Sequence, residues 1–271
     1  MKLTIIRVIA VLLIVVGVGL YAWGVLVNGE DLAKNLPRTL IICLSGVSAL
    51  MKTFPKRRPL NQYAAAYQKE LGSAFQDDAK KREALLSAVR LYNEDKFPAA
   101  LKALDVLRQD ARTRDEIYAV GLFTALCQEG LGLNDAAITA YEDTAARGAE
   151  SSQLYSNLGI LYASAGDADK AAEAYMKAIR LDPKNPLPHN NIANLMLTLG
   201  EYDGAAEAAA NAIDLNPSQY QAWTVLAIVA GIKGDEEKCE KCIRKAVACG
   251  QDEAALRRAI THYVNIAEQE A

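Results

Sequence analysis

The sequence contains few of the side chains on which enzymes and metal sites most often depend. Among its 271 residues there are only two histidines, His189 and His262. It has neither a glycine-rich phosphate-binding loop nor a Gly-x-Ser-x-Gly nucleophile elbow. These absences predict a protein that is not an enzyme, with no catalytic residue, no metal site and no cofactor.

An excess of positive charge is also missing. The formal net charge is −3, and residues 59–271 are acidic overall, with no basic stripe. Proteins that bind nucleic acid usually carry a basic patch, because phosphate contacts supply much of their affinity. The sequence therefore predicts no nucleic-acid partner.

In place of these features the chain has an internal repeat. Glycine recurs at an interval of 34 residues, and a small residue recurs at the same interval five positions later. Self-similarity at a fixed period of this size indicates stacked structural units. The two series are Gly132, Gly166, Gly200 and Gly234, and Ala137, Ala171, Ala205 and Cys239.

Each unit has the pattern of two short helices joined by a tight turn. Apolar residues recur at helical spacing on both sides of Gly166. Glycine tolerates the left-handed backbone that ends a helix, and Asp167 can accept hydrogen bonds from the free N–H groups of the next helix. Pro183 is expected to end the second helix, since proline has no N–H to donate. The missing side chain at Gly159 is expected to let the two helices approach closely.

The segments NLGILY, AGDADKAAEAYMKAI and LDP resemble the tetratricopeptide repeat (TPR). The resemblance implies an all-α solenoid of about five helix-turn-helix repeats over residues 81–253. Residues 59–80 are expected to form a linker helix, and residues 254–271 a C-terminal capping helix. The predicted units are 81–114, which is the weakest and has Asp95 where glycine belongs, 118–151, 152–185, 186–219 and 220–253.

The resemblance also indicates where a partner would bind, because the first helix of each TPR pair lines a concave groove. Asn157 and Asn191 fall at one groove position. An asparagine amide both donates and accepts hydrogen bonds, so such side chains can pair with the backbone of an extended peptide. Alternatively, the asparagines only cap local backbone. We predict a protein or peptide partner. The candidate groove residues are Gln153, Asn157, Asn190, Asn191, Asn194, Gln221 and Thr224.

Of the five cysteines, Cys239 and Cys242 form a Cys-x-x-Cys pair. Cys239 falls at the repeat position that is alanine in the other units, where a free cysteine behaves as a small apolar residue. We interpret the pair as structural. An enzyme that uses the two thiols for exchange is the alternative, and it would require them to be exposed and to have a lowered pKa.

The N-terminal part of the chain has a different composition. Residues 3–27 contain a single charge, Arg7, and as a helix they would be long enough to cross a hydrocarbon layer of about 30 Å. A cleaved secretory signal is the alternative for this segment. A second apolar segment, 38–54, is predicted to be a short span, with a re-entrant or interfacial helix as the alternative.

The charges around these segments predict an orientation. Residues 1–58, the predicted membrane anchor, carry eight basic and two acidic side chains, and positive flanks usually stay in the cytoplasm. The leading hypothesis is thus a cell-membrane scaffold with two spans and a cytoplasmic TPR domain, a candidate subunit of a membrane complex. The alternative is an extracytoplasmic, chaperone-like assembly factor tethered by residues 3–27 alone.

Overall fold

The computed structural model describes residues 67–270, and every regular element in that range is an α-helix. From α2 onwards each helix packs against the next one in the chain. This arrangement confirms the all-α solenoid expected from the sequence, while the proposed unit boundaries stay a prediction. The helices are α1 Gln68–Leu71, α2 Ala79–Asn93, α3 Phe97–Asp110, α4 Arg114–Gly130, α5 Asn134–Ala146, α6 Ser152–Ser164, α7 Ala168–Leu181, α8 Pro186–Thr198, α9 Tyr202–Leu215, α10 Tyr220–Ile232, α11 Glu236–Ala248 and α12 Glu253–Glu270.

The turns within the helix pairs have the backbone that the glycine series predicts. Gly132, Gly166, Gly200 and Gly234 have φ angles between +69° and +82°, a region that residues with a Cβ rarely occupy. In the turn between α2 and α3, Asp95 adopts a similar left-handed conformation, with φ of +56°. Aspartate tolerates this region better than most residues.

Short polar side chains cap the starts of several helices. The side chain of Asp167 accepts a hydrogen bond from the backbone N–H of Lys170 at the start of α7. Thr113 and Glu116 form a reciprocal capping box at the start of α4. The helices α7 and α9 each end two residues before a proline, as the sequence predicts. Local chemistry therefore sets these helix ends.

Close packing within a helix pair depends on small residues. A Cβ placed on Gly159 in α6 would lie 2.6 Å from Cδ1 of Tyr175 in α7, so the expected close approach is confirmed. The recurring small residues on the second helices are also buried. They are Ala137, Ala171, Ala205 and Cys239, followed seven residues further along α7, α9 and α11 by Ala178, Ala212 and Ala246.

Contacts between helix pairs show which helices lie inside the curve of the solenoid. The first helices of successive pairs touch each other, α6 with α8 and α8 with α10. In the described part of the chain no comparable contact joins α7 to α9 or α9 to α11. In a curved stack, the helices that touch lie on the inside of the bend. We call α6, α8 and α10 the inner row, and α7, α9 and α11 the outer row.

The two ends of the described range are closed differently. At the N-terminal end, α1 packs on α4, and a buried core that includes Leu71, Leu85, Leu104 and Phe123 joins α1 to α4. At the C-terminal end, α12 packs on α10 and buries Leu256. The inner row therefore ends against α12.

The described helices do not support the predicted membrane localisation. Within residues 67–270 no helix is both long enough and apolar enough to cross a bilayer. The most apolar helix, α10, has 13 residues and is about 20 Å long, which is shorter than a hydrocarbon layer of about 30 Å. The longest helix, α12, has 18 residues but carries charges such as Arg257 and Arg258.

This finding overturns the prediction of a multi-pass membrane protein with a cytoplasmic TPR domain. The two segments on which the prediction rested, residues 3–27 and 38–54, lie outside the described residues. So does the first part of the predicted linker helix, residues 59–66.

Candidate functional site

The inner row differs from the other helices in its lack of charge. Its three helices have the sequences SQLYSNLGILYAS, PLPHNNIANLMLT and YQAWTVLAIVAGI, without Asp, Glu, Lys or Arg. Their polar side chains are amides, hydroxyls, the Trp223 indole and His189, whose pKa is lowered by burial. A concave surface of this kind can recognise a ligand through hydrogen bonds and apolar contacts, with little contribution from ion pairs.

Two of the predicted groove residues have unused amides. Asn191 is half-buried and Asn194 is exposed, both on α8. Within residues 67–270 neither side chain makes a hydrogen bond, and Asn194 contributes only its backbone carbonyl, which accepts from the Thr198 hydroxyl at 2.9 Å. The middle helix of the inner row therefore presents two free amide side chains.

Asn157 on α6 is held by an internal hydrogen bond. Its Nδ2 donates to the Tyr141 hydroxyl at 2.9 Å, and this hydroxyl donates to Oε1 of Glu129 at 2.6 Å. Tyr141 is fully buried. Burial raises the pKa of the Glu129 carboxyl, and the hydrogen bond from Tyr141 acts in the opposite direction. Asn157 thus connects α6 to α5 and α4 through a buried chain of polar groups.

Asn190 on α8 is only 3% exposed. Its Nδ2 donates to Oε1 of Gln219, the residue before α10, so it connects two helices of the inner row. The Asn190 Oδ1 atom is buried and has no hydrogen-bond partner. Thr224, at the same repeat position 34 residues later, has a buried Oγ1 that is also without a partner.

The remaining predicted residues, Gln153 and Gln221, lie near the starts of α6 and α10. Gln153 is half-buried and Gln221 is exposed. Neither makes a side-chain hydrogen bond to another described residue. They share one repeat position with Leu187 at the start of α8, at intervals of 34 residues. The structure therefore places one of these three side chains on each inner-row helix.

Two apolar residues of this surface were not among the predicted site residues. Leu187 is 52% exposed and Ile160 is 45% exposed. Ile160 stands 34 residues before Asn194, so the repeat period places both at the same position of the inner row. Extending the period from the asparagines to every residue at these positions would have identified them.

The cysteine pair has the properties of packing residues. Cys239 and Cys242 are buried in the core between α10, α11 and α12. Burial raises the pKa of both thiols, whereas thiol exchange is favoured by a lowered pKa and exposure. Cys127 is buried as well, and burial raises the pKa of its thiol to about 12. These observations argue against the thiol-exchange alternative.

Comparison with protein families supports the repeat assignment for the inner row. A TPR repeat model matches residues 159–200, and a tetratricopeptide repeat model matches residues 190–238. These ranges include all of α8 and α10 and part of α6. No curated protein sequence is significantly similar to the chain.

Solved structures share the fold at low sequence identity. The TPR protein YrrB is 17% identical and has a TM-score of 0.53, with the match covering 74% of this chain and 98% of YrrB. MamA is 21% identical with a TM-score of 0.53, and the match covers 62% and 96% of the two chains. A TPR protein from Parabacteroides merdae is 15% identical with a TM-score of 0.59, and coverage is 68% and 73%. At these identities the similarity concerns the fold. Residues 159–238 are therefore tetratricopeptide repeats, within an all-α TPR solenoid.

Proposed function

We propose that the chain is an interaction scaffold that binds a protein or peptide partner along the inner row. The observation that carries the proposal is the inner row itself, a concave set of three touching helices without Asp, Glu, Lys or Arg. The TPR fold is a protein-interaction fold, which agrees with this role. The absence of catalytic activity stays a prediction.

The free amides suggest how the partner is held. Asn191 and Asn194 have no side-chain partner among the described residues, and Gln153 and Gln221 lie on the neighbouring inner helices. Each amide offers one donor group and one acceptor, as a peptide group does. A partner segment in extended conformation would present its backbone groups to these side chains. Asn157 and Asn190 would instead keep the inner helices in place, because their Nδ2 groups donate within the protein.

The exposed apolar residues suggest what else the partner contains. Leu187 and Ile160 are about half exposed. Leu187 shares its repeat position with Gln153 and Gln221, and Ile160 shares its position with Asn194. Apolar side chains of the partner would bury these surfaces. Since the inner row has no Asp, Glu, Lys or Arg, we expect binding near neutral pH to depend little on ionic strength.

The similarity to YrrB agrees with this role. YrrB is described as a TPR protein with an unusual peptide-binding site, and the match covers 98% of it. We propose a peptide-binding role for the present chain on this likeness of fold together with the free amides of α8.

A peptide selection with the full chain tests the proposal. Peptides would be selected from a random phage-displayed library, and the best one labelled with fluorescein for anisotropy titrations. The Asn191→Ala, Asn194→Ala double variant should bind this peptide about tenfold more weakly or worse, because two hydrogen bonds are lost. Leu187→Lys should also weaken binding.

Asn211→Ala supplies the matched control, because Asn211 is an exposed asparagine on α9 in the outer row. It should leave the affinity unchanged. The proposal fails if the double variant binds as tightly as the unaltered chain, or if Asn211→Ala weakens binding to the same extent.

A further inference from the structure

A second candidate site lies outside the inner row, in a pocket of about 390 Å³ where α2 and α4 end. It includes residues from the segment before α1 and from the turn between α2 and α3. It is lined by Tyr67, Tyr92, Asn93, Asp95, Phe97, Leu126, Glu129 and Gly130.

Three aromatic rings form walls of this pocket, and contacts with neighbouring side chains hold them in place. The ring centroids of Tyr92 and Phe97 are 6.0 Å apart. Tyr67 and Tyr92 both pack edge-on against buried Phe123, at 5.3 Å and 5.7 Å. The Tyr67 hydroxyl donates to Oδ1 of Asn93 at 2.9 Å. The rings therefore form a preformed aromatic surface.

Gly130 is required for this arrangement. A Cβ on Gly130 would lie 2.7 Å from Cε2 of Phe97. The missing side chain thus lets the Phe97 ring lie against the end of α4, beside Glu129.

Two carboxylates lie among the lining residues, and none of the described residues that line the pocket is Lys or Arg. Among residues 67–270 neither Glu129 nor Asp95 forms an ion pair, and the hydrogen-bond partner of the Glu129 side chain is the Tyr141 hydroxyl. The pKa of Tyr92 is raised by burial, and also by the negative charges of Glu129 and Asp95. A half-buried carboxylate without a counter-ion is costly, and a bound cation would offset that cost.

We propose that this pocket binds an alkylammonium group. The aromatic faces attract a cation through their quadrupoles, and Glu129 and Asp95 supply the neutralising charge. Such a group is carried by a free quaternary amine or by a lysine side chain of a partner. A metal ion is a poorer fit, because no group of three His, Cys, Asp or Glu side chains in the described part of the chain is arranged to hold one.

The test uses the full chain and saturation-transfer NMR with two probes of equal shape. Choline carries a quaternary ammonium, and 3,3-dimethyl-1-butanol is its neutral carbon counterpart. Choline should receive saturation and show a saturable titration, whereas the neutral alcohol should not. Nα-acetyl-lysine amide, titrated separately, distinguishes the sources: saturation of choline alone indicates a free amine, and saturation of the lysine probe indicates a partner's side chain.

Variants connect the signal to the pocket. Glu129→Gln and Tyr92→Leu should each weaken choline binding by about twofold to thirtyfold, the range expected for a cation–π or charge contact. Glu129→Gln keeps an acceptor for Tyr141. Asp95→Asn is a second charge variant, because asparagine also tolerates the left-handed turn. Glu83→Gln, an exposed position on α2, is the matched control and should have no effect.

The proposal is overturned if choline and the neutral alcohol bind equally, if neither choline nor the lysine probe binds, or if the pocket variants bind like Glu83→Gln. These titrations contain no groove peptide. Their result is therefore independent of the role proposed for the inner row.

Discussion

The inner and outer rows of this solenoid are built from helices of nearly equal length, but they differ in the number of charged residues. The inner helices α6, α8 and α10 carry no Asp, Glu, Lys or Arg, whereas the outer helices α7, α9 and α11 carry five, three and seven. The outer helices are amphipathic, with buried alanines on one side and exposed charges on the other. In these three helix pairs the charges lie on the outer helices, and the concave side has amides and apolar groups.

The difference has a packing origin. Each inner helix contacts its own pair partner, at least one other inner helix and the second helix of the preceding pair, and α8 contacts inner helices on both sides, so much of the circumference of an inner helix is covered. A charged side chain on a largely covered helix loses hydration without gaining a partner. An outer helix has no comparable contact with other outer helices, so its charges remain in water.

The strongest test places the same charge on each row. Asn190→Asp introduces a carboxylate at a buried inner position, facing Oε1 of Gln219. We expect a loss of about 2 to 4 kcal/mol in the free energy of unfolding near neutral pH, because the charge is desolvated even if Gln219 rotates to donate. Asn211→Asp on exposed α9 should change it by less than about 0.5 kcal/mol. Urea unfolding of both variants measures the difference.

The pH dependence of Asn190→Asp is a second readout. Burial should raise the pKa of the new carboxyl above its unfolded value of about 3.9. Below the unfolded pKa the new carboxyl is neutral in both states, so the loss in the free energy of unfolding that its charge causes is absent. This loss grows as pH rises through the folded pKa. Equal losses for the two variants at all pH values would contradict the comparison.

The next test adds one methyl group to each row. Gly159→Ala should cost about 1 to 3 kcal/mol in the free energy of unfolding, because its Cβ would lie 2.6 Å from Cδ1 of Tyr175. Gly204 on α9 would instead meet Sδ of Met196 at 2.8 Å. Since methionine is flexible, we expect Gly204→Ala to be neutral or to stabilise by up to about 1 kcal/mol through helix propensity.

Thermal unfolding of the two glycine variants would show this asymmetry. Destabilisation by Gly204→Ala as large as that by Gly159→Ala would mean that the outer row is packed as tightly as the inner row.

A weaker test concerns a charge that reaches from the outer row to an inner helix. Lys177 on α7 lies 2.6 Å from Oε1 of Glu150 and 4.4 Å from the centroid of the Tyr155 ring. Lys177→Met should destabilise the chain by about 0.5 kcal/mol, and by less in high salt. Lys238→Met, at an exposed position on α11 without an ion pair in the described range, should have no salt-dependent effect. Chemical unfolding at two salt concentrations decides between these outcomes.

The smallest effect is expected from the one histidine of the inner row. Burial lowers the pKa of His189, so the unfolded chain binds a proton more readily than the folded one. Its contribution to stability is complete above the unfolded pKa of about 6.5 and is lost as pH falls through the folded pKa. His189→Gln should remove this part of the decline between about pH 8 and pH 5. If both chains decline with the same slope, the row does not bury His189 as described.

Much of the fold could be predicted, because the relevant interactions are local. The glycine turns and the helix caps each depend on residues within a few positions of each other, and the turns have the predicted backbone. The fate of Asn157 and Asn190 could not be predicted. Their partners, Tyr141 and Gln219, are 16 and 29 residues away in sequence and belong to other helices.

The sequence by itself determined the two-helix unit, its 34-residue spacing and the lack of charge on the inner helices, because each of these is a property of local order or composition. Only the tertiary structure decided which amides remain free. It also brought Tyr67, Tyr92 and Glu129 together in one pocket. The reason is physical: hydrogen bonds and ring contacts between helices depend on how the pairs stack, and stacking joins residues that are distant in the chain.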